Sequence, residues 1–164
     1  MSVVSLQGVS KTYSRKVSRE FLRSYLRKGF YVQALRECSP DSTIGFGTFF
    51  SSPLVTIGEF VYIGARCIVA DSVIEKDVMI GSNVCVISGK STHDFSRVDI
   101  PMRLQGGDAV PVRIGEDTWI GNNAIIMATV GKKCIIGAGS VVTKEIGDYS
   151  IAVGNPAKVI RKRI

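Results

Sequence analysis

Histidine and tryptophan occur once each in these 164 residues, as His93 and Trp119, and none of the four cysteines stands in a Cys-x-x-Cys pair. The scattered Cys38, Cys67, Cys85 and Cys134 lack the spacing of zinc ligands, and a single histidine cannot serve a centre that needs several, so no metal is expected. Nor do they read as a secreted disulfide framework; small buried hydrophobes in a reducing compartment are the expectation. No apolar run approaches the ~18 residues of a membrane span, and no apolar N-terminal core precedes a small-residue cleavage site. A soluble, cytoplasmic protein of about one domain is expected.

Acidic residues are scarce at the two ends. The net charge is +7, and residues 11–37 carry eight basic side chains against Glu20 and Glu37, while the tail adds Lys158, Arg161, Lys162 and Arg163. The rest of the chain has nine basic and twelve acidic residues, a net −3. A domain that wraps nucleic acid would be basic over its body and would show a recognisable motif, so no nucleic-acid partner is expected.

What is present is a repeat. Ile44, Ile57, Ile63, Val69, Ile74, Ile80, Ile114, Ile120, Val130 and Ile136 are each followed at once by Gly, Ala or Glu, and four places on by Ser, Thr, Ala, Val or Cys. Average composition would give about three such triples by accident, without common phase, so ten in near-register call for a structural cause. Six is an even number, and in extended backbone every sixth side chain returns to the same face. The aliphatic column therefore points inward, and the glycine after it is expected to let the chain corner after each short strand. A single coil cannot bury such a column; a stack of coils can, and the fold class expected is a mainly β parallel β-helix over residues 42–154.

Two phase slips, five residues from Val69 to Ile74 and four from Ile126 to Val130, predict distorted corners. The rhythm vanishes from about 88 to 111, a protruding loop that holds Gly106-Gly107, two prolines and the lone histidine; long irregular loops in compact domains are commonly functional. Upstream, Val17, Phe21, Leu22, Tyr25, Leu26, Phe30 and Leu35 predict an amphipathic helix over 17–36, stopped by Ser39-Pro40-Asp41. Its basic face is either an ordinary solvated helix face or one that approaches anionic lipid or a lipid-phosphate-linked substrate, so membrane contact is expected to be at most peripheral. Three parts result: a basic segment and helix (1–41), the β-helix (42–154) and a basic tail (155–164).

Ser91-Thr92-His93-Asp94, Arg113-Ile114-Gly115-Glu116-Asp117-Thr118-Trp119-Ile120-Gly121, Ile136 through Lys144 and Ser150 through Arg161 together resemble the hexapeptide-repeat acetyltransferases, with the flavour of the maltose, galactoside and polysaccharide O-acetyltransferases. The likeness covers about residues 42–164. It implies a left-handed β-helix, a homotrimer with sites between subunits, and transfer of acetyl from acetyl-CoA as cosubstrate to a saccharide hydroxyl, in a setting such as surface polysaccharide synthesis. An alcohol is a weak nucleophile until a base takes its proton, and imidazole, with an ordinary pKa of ~6.5, can take that proton and return it to the departing thiolate. The resemblance gives this role to His93. Asp94 is a candidate to orient the ring, with a backbone carbonyl as the other. Backbone N–H groups from Trp119 to Gly121 are the candidate donors to the oxyanion. The resemblance further places Trp119 by the cofactor's arm, lines the coenzyme A groove with Ala138, Thr143 and Lys144, and brings Arg161 to its phosphates.

Two departures bear on the acceptor. The step Ile126-Met127-Ala128-Thr129-Val130 lacks two residues that many relatives carry, and Ile63-Gly64-Ala65-Arg66-Cys67 offers no counterpart of the asparagine that maltose- and galactoside-type enzymes place near the acceptor. N-acetylation of a nucleotide-linked amino sugar would use the same donor and stays open beside O-acetylation, as does a non-catalytic scaffold.

Overall fold

The computed structural model describes residues 11–89 and 92–164, with side chains from Leu22 onward. Alternation within two-residue strands builds it: one residue points in and its neighbour out, as in Thr43–Ile44, Tyr62–Ile63 and Met79–Ile80. Three parallel sheets result. The first stacks β1 (Glu37–Cys38), β4 (Thr56–Ile57), β7 (Ser72–Ile74) and β10 (Val112–Ile114), and continues through single bridges at Val130 and Ile146. The second stacks β2 (Thr43–Ile44), β5 (Tyr62–Ile63), β8 (Met79–Ile80), β11 (Trp119–Ile120), β13 (Ile135–Ile136) and β15 (Ser150–Val153), and ends on the antiparallel β16 (Lys158–Lys162). The third stacks β3 (Phe49–Phe50), β6 (Ile68–Val69), β9 (Cys85–Val86), β12 (Ile125–Ile126) and β14 (Val141–Val142). The chain is thus mainly β, a solenoid of about six turns consistent with the left-handed coil that the resemblance implies.

The predicted column is the core. Ile57, Ile63, Ile74, Ile80, Ile114, Ile120, Ile126 and Ile136 are buried, each stacked on its counterpart in the next coil. Burying isoleucine is worth about 1.5–3 kcal/mol per side chain. Cys67 and Cys134 fill the small position four residues on, where burial pushes their thiols up and keeps them neutral.

Glycine earns its place in the repeat differently from the expectation. The backbone takes the left-handed conformation three residues after the column, at Arg66, Asp77, Asn83, Asp117 and Asn123 among others, and not at the glycine itself. The glycine is required by contact: a Cβ on Gly64 would lie 2.6 Å from the carbonyl carbon of Gly81 and from Ser82 N. Coils approach too closely at that corner for a side chain.

Coil length varies, and the variation makes the surface features. On the second sheet the steps are 19 (Thr43 to Tyr62), 17 (Tyr62 to Met79), 40 (Met79 to Trp119), then 16 (Trp119 to Ile135) and 16 (Ile135 to Ile151). The 40-residue step absorbs the loop. The short steps reflect tight corners from Ile126 to Val130 and, unremarked in the sequence, from Val142 to Ile146; both reduce the first sheet to single bridges.

The helix α1 runs Lys11–Ala34, ending before the expected 36, because Glu37–Cys38 already pairs with Thr56–Ile57. Ser39-Pro40-Asp41 is accordingly the first corner, closed by Ser42 Oγ donating to Ser39 O at 2.7 Å. Tyr31, Val32 and Leu35 seat the helix on the first coil, with the Tyr31 ring 4.7 Å from Phe50 and its hydroxyl donating to Thr48 O. At the other end β16 covers the last coil, and Lys162 Nζ donates to Asp148 O at 2.7 Å.

One ion pair bridges coils across the point where the loop leaves. Arg113 donates to Glu75, whose second carboxylate oxygen accepts Glu116 N–H at 2.9 Å. Burial alone would push the Glu75 carboxyl up, but the Arg113 and Glu116 hydrogen bonds and the Arg113 charge outweigh it and hold the group below the usual range. A depressed carboxyl stabilises the fold above its unfolded pKa of ~4.3, and that contribution fades as pH falls through the folded value. Glu75→Gln is expected to cost about 1 kcal/mol at neutral pH and progressively less as pH falls below the unfolded value, so that acid unfolding curves of the two proteins converge.

Candidate active site

The loop begins and ends side by side: Val110 N–H donates to Ser88 O at 3.1 Å, and Gly89 N–H turns back to Ile87 O. Between these points it is internally tied. Gln105 donates from Nε2 to the carbonyls of Arg97 (2.6 Å) and Ile100 (3.0 Å) and accepts Arg97 N–H, and Arg97 pairs with Asp99. Pro101 precedes the short 3-10 turn Met102–Leu104.

His93 is exposed on this loop, and its backbone is clasped from the far side. Asp94 N–H donates to Gly106 O at 2.9 Å, and Gly107, at φ +148°, lies so close that a Cβ would fall 2.4 Å from Thr92 O and 2.7 Å from His93 Cα. Gly107 is therefore a site residue that the sequence reading noticed without assigning a role; its signal was a Gly-Gly pair in the same loop as the only histidine. Ser91, part of the motif, lies outside the described residues, as does Lys90. Gly107→Ala is expected to displace the Thr92–His93 backbone and lower turnover at least about tenfold with little change in melting temperature, which steady-state assay beside thermal denaturation would check.

Asp94 does not reach toward the imidazole. Its carboxylate accepts Ser96 N–H at 2.9 Å and Ser96 Oγ–H at 3.2 Å, and these bonds hold its carboxyl below the usual range. Among the described residues the His93 ring has no hydrogen-bond partner.

Trp119 lies on the outward face of the second sheet, half exposed. Register aligns Trp119 with Ile135, Ile135 with Ile151, and Ile151 with Arg161, so the ring and the guanidinium end one row across four strands. Three strand spacings of 4.7–4.9 Å put them roughly 14 Å apart along the sheet. Arg161 is exposed, and no ion pair engages it among the described residues. Gly121 and Ala138 stack at the corner between the second and third sheets; a Cβ on Gly121 would meet Ala138 N at 2.5 Å.

The corner amides are a correction to the sequence reading. Trp119 N–H donates to Cys134 O at 2.9 Å and Gly121 N–H to Ile136 O at 2.8 Å. Both are committed to the inter-coil ladder, and neither can donate to an oxyanion without breaking it.

Thr143 and Lys144 sit at the corner between the third and first sheets. They line a mostly apolar cavity of about 500 Å³ with Gly89, Val110, Pro111, Val112, Met127 and Ala128. The two tight corners are what open this space, and the stem of the His93 loop forms its rim. The structure thus joins Thr143 and Lys144 to the loop, and Trp119 to Gly121, Ala138 and Arg161, but keeps the two groups apart: the second sheet is the face opposite the corner from which the loop leaves.

Comparison with known proteins agrees with this architecture. The model for the hexapeptide repeat of succinyl-transferase matches residues 111–144. A Saccharomyces cerevisiae protein that carries an acetyltransferase name is 37% identical over 114 residues, 66% of this chain and 56% of that one. The crystal structure of a maltose O-acetyltransferase from Clostridium difficile 630 superposes with a TM-score of 0.75 at 27% identity, over 93% of this chain and 85% of that one. A galactoside acetyltransferase in complex with coenzyme A shares the fold, with a TM-score of 0.65 at 23% identity over 95% of this chain and 84% of that one. The matches span between 28% and 56% of the length of the curated relatives that the chain matches first.

Proposed function

From a chain that is a hexapeptide-repeat β-helix, we propose an acetyl-CoA-dependent O-acetyltransferase that acetylates a saccharide hydroxyl, with His93 as the general base. The observation that carries this reading is the clasp on His93. A lone histidine stands on a loop whose backbone is pinned beside it by Gly106 and Gly107, and the stem of that loop, at Gly89, Val110 and Pro111, rims a groove that also presents Thr143 and Lys144.

The chemistry follows from that placement. The His93 ring accepts the proton of the acceptor hydroxyl as its oxygen attacks the thioester carbonyl, and the C–S bond breaks as the new C–O bond is completed. The imidazolium then returns the proton to the thiolate sulfur, so His93 ends the cycle neutral and no other reactant is consumed. Asp94 serves as a positioning residue through the loop it folds, by its Ser96 and Gly106 contacts, and not by a bond to the ring. Arg161 faces the anionic end of the cosubstrate, Trp119 flanks its arm, and Ala138, small and exposed on the coil that packs against Gly121, lets it lie close to the backbone.

Because the His93 loop and the Trp119 row lie on opposite sides of one coil stack, a single thioester meets both only when two copies supply them. The surface supports such an assembly, and a homotrimer fits it. Most outward residues of the second and third sheets are apolar (Tyr62, Met79, Phe49 and Ile68, with Thr43 an exception), whereas those of the first are mostly polar (Glu37, Thr56 and Arg113, with Val73 an exception). The direct test is to incubate the protein with acetyl-CoA and a panel of sugars and follow free thiol release. Saccharide-dependent release giving a product that loses acetyl in mild alkali supports the reading. A product that keeps it is an amide and points to an amino sugar; no release with any acceptor contradicts an acetyltransferase.

A further inference from the structure

The helix uses its apolar residues on two faces. Tyr31, Val32 and Leu35 go to the first coil, but Leu22 and Leu26, one step of four apart on the other side of the helix, are 62% and 66% exposed. Phe30, a further step on, is 64% exposed at the edge of the seat, where it lines a hollow with Phe49 and Phe50. Tyr25 is 56% exposed at another edge of the seat, lining a hollow with Ser42 and Thr43. A soluble helix normally turns such residues inward and its charges outward. Here one apolar row meets the core, and a second lies open among basic residues: Arg23 is next to Leu22, and the sequence places Arg19 and Arg15 at further steps of four upstream.

We propose that this outer face of α1 docks on an anionic phospholipid surface and holds the β-helix against a membrane without crossing it. Charge complementarity selects the occupant. The segment 11–37 has eight basic side chains against two acidic ones, while the body of the chain is net negative, so attraction to an anionic headgroup layer is concentrated on the element that shows the apolar row. Arginine beside exposed leucine and phenylalanine is the pattern of a helix that lies in the plane of the interface, the apolar side chains entering the acyl boundary and the cations meeting phosphate. Among the described residues no helix is long and apolar enough to span a bilayer, which fits surface attachment. The helix covers one end of the coil stack, away from the His93 loop, so docking leaves the groove open.

Co-sedimentation of the full chain with vesicles tests this directly. Phosphatidylcholine vesicles containing about a third phosphatidylglycerol are expected to bind at least about tenfold more protein than phosphatidylcholine alone, and raised salt should release it. Leu22→Glu with Leu26→Glu should cut binding at least about tenfold. Because both side chains are exposed, far-ultraviolet circular dichroism and melting temperature should match wild type; Leu22→Ser with Leu26→Ser repeats the test with a milder change. Equal binding to neutral vesicles, no binding to either, or folded double variants that bind like wild type would overturn the proposal. So would a drop in assembly mass by light scattering in the double variants when wild type ignores vesicles, since a second copy would then cover the row.

Discussion

His93→Ala is expected to lower turnover at least about a hundredfold while leaving the KM for acetyl-CoA and the melting temperature close to wild type. General base catalysis is worth about 10²–10⁴ in rate, and no other imidazole exists in the chain to replace the one removed. The side chain is exposed, so its loss leaves no cavity, and among the described residues it has no hydrogen-bond partner to orphan. A structural role would show the reverse pattern, a lowered melting temperature with turnover per folded molecule retained. Steady-state kinetics of thiol release beside thermal denaturation separates the two. Unchanged turnover would remove His93 from the chemistry.

Ile80→Ala is expected to cost about 3 kcal/mol, seen as a fall in melting temperature of roughly 6–12 °C. Ile80 is fully buried and stacked between Ile63 and Ile120, with the coils above and below held in place by their own ladders. The core has little freedom to collapse into the space, and the missing contacts are not recovered. Ile80→Val should cost only about 0.5–1.5 kcal/mol, so the losses should scale with the volume removed. Equal effects of the two substitutions, or none, would mean that the column does not pack as a continuous core.

The parts of this fold that are periodic were readable in the sequence. An even repeat distinguishes inward from outward side chains, and the ten column positions, from Ile44 to Ile136, all proved buried. What resisted reading lies where the column residue is atypical or where backbone geometry decides. The first coil begins with Cys38 and Phe50 in place of the aliphatic residues, which hid a strand at Glu37–Cys38 and made the helix seem to run on. Gly64 and its counterparts looked like turn formers, because a sequence does not show that the next coil passes within van der Waals range. Likewise the amides of Trp119 and Gly121 looked free as donors until their partners on Cys134 and Ile136 were seen.

The candidate site was legible by residue type more than by arrangement. His93, Thr143 and Lys144 could be named from motifs, but the cavity beside them arises from two four-residue corners, of which only that before Val130 drew notice. Which sheet faces which is a property of the closed coil, so the separation of the Trp119 row from the His93 loop was invisible in one dimension. The same holds for α1, whose apolar positions were legible as a set but whose division between a seated and an open face depends on where the helix rests.

A crystal structure of the protein grown with coenzyme A tests the central claim most directly. The account predicts the thiol within about 4 Å of a His93 imidazole, in reach of a single hydroxyl between them, with Trp119 and Arg161 from a neighbouring copy along the rest of the molecule. Coenzyme A bound with its sulfur remote from every His93 in the assembly would contradict it.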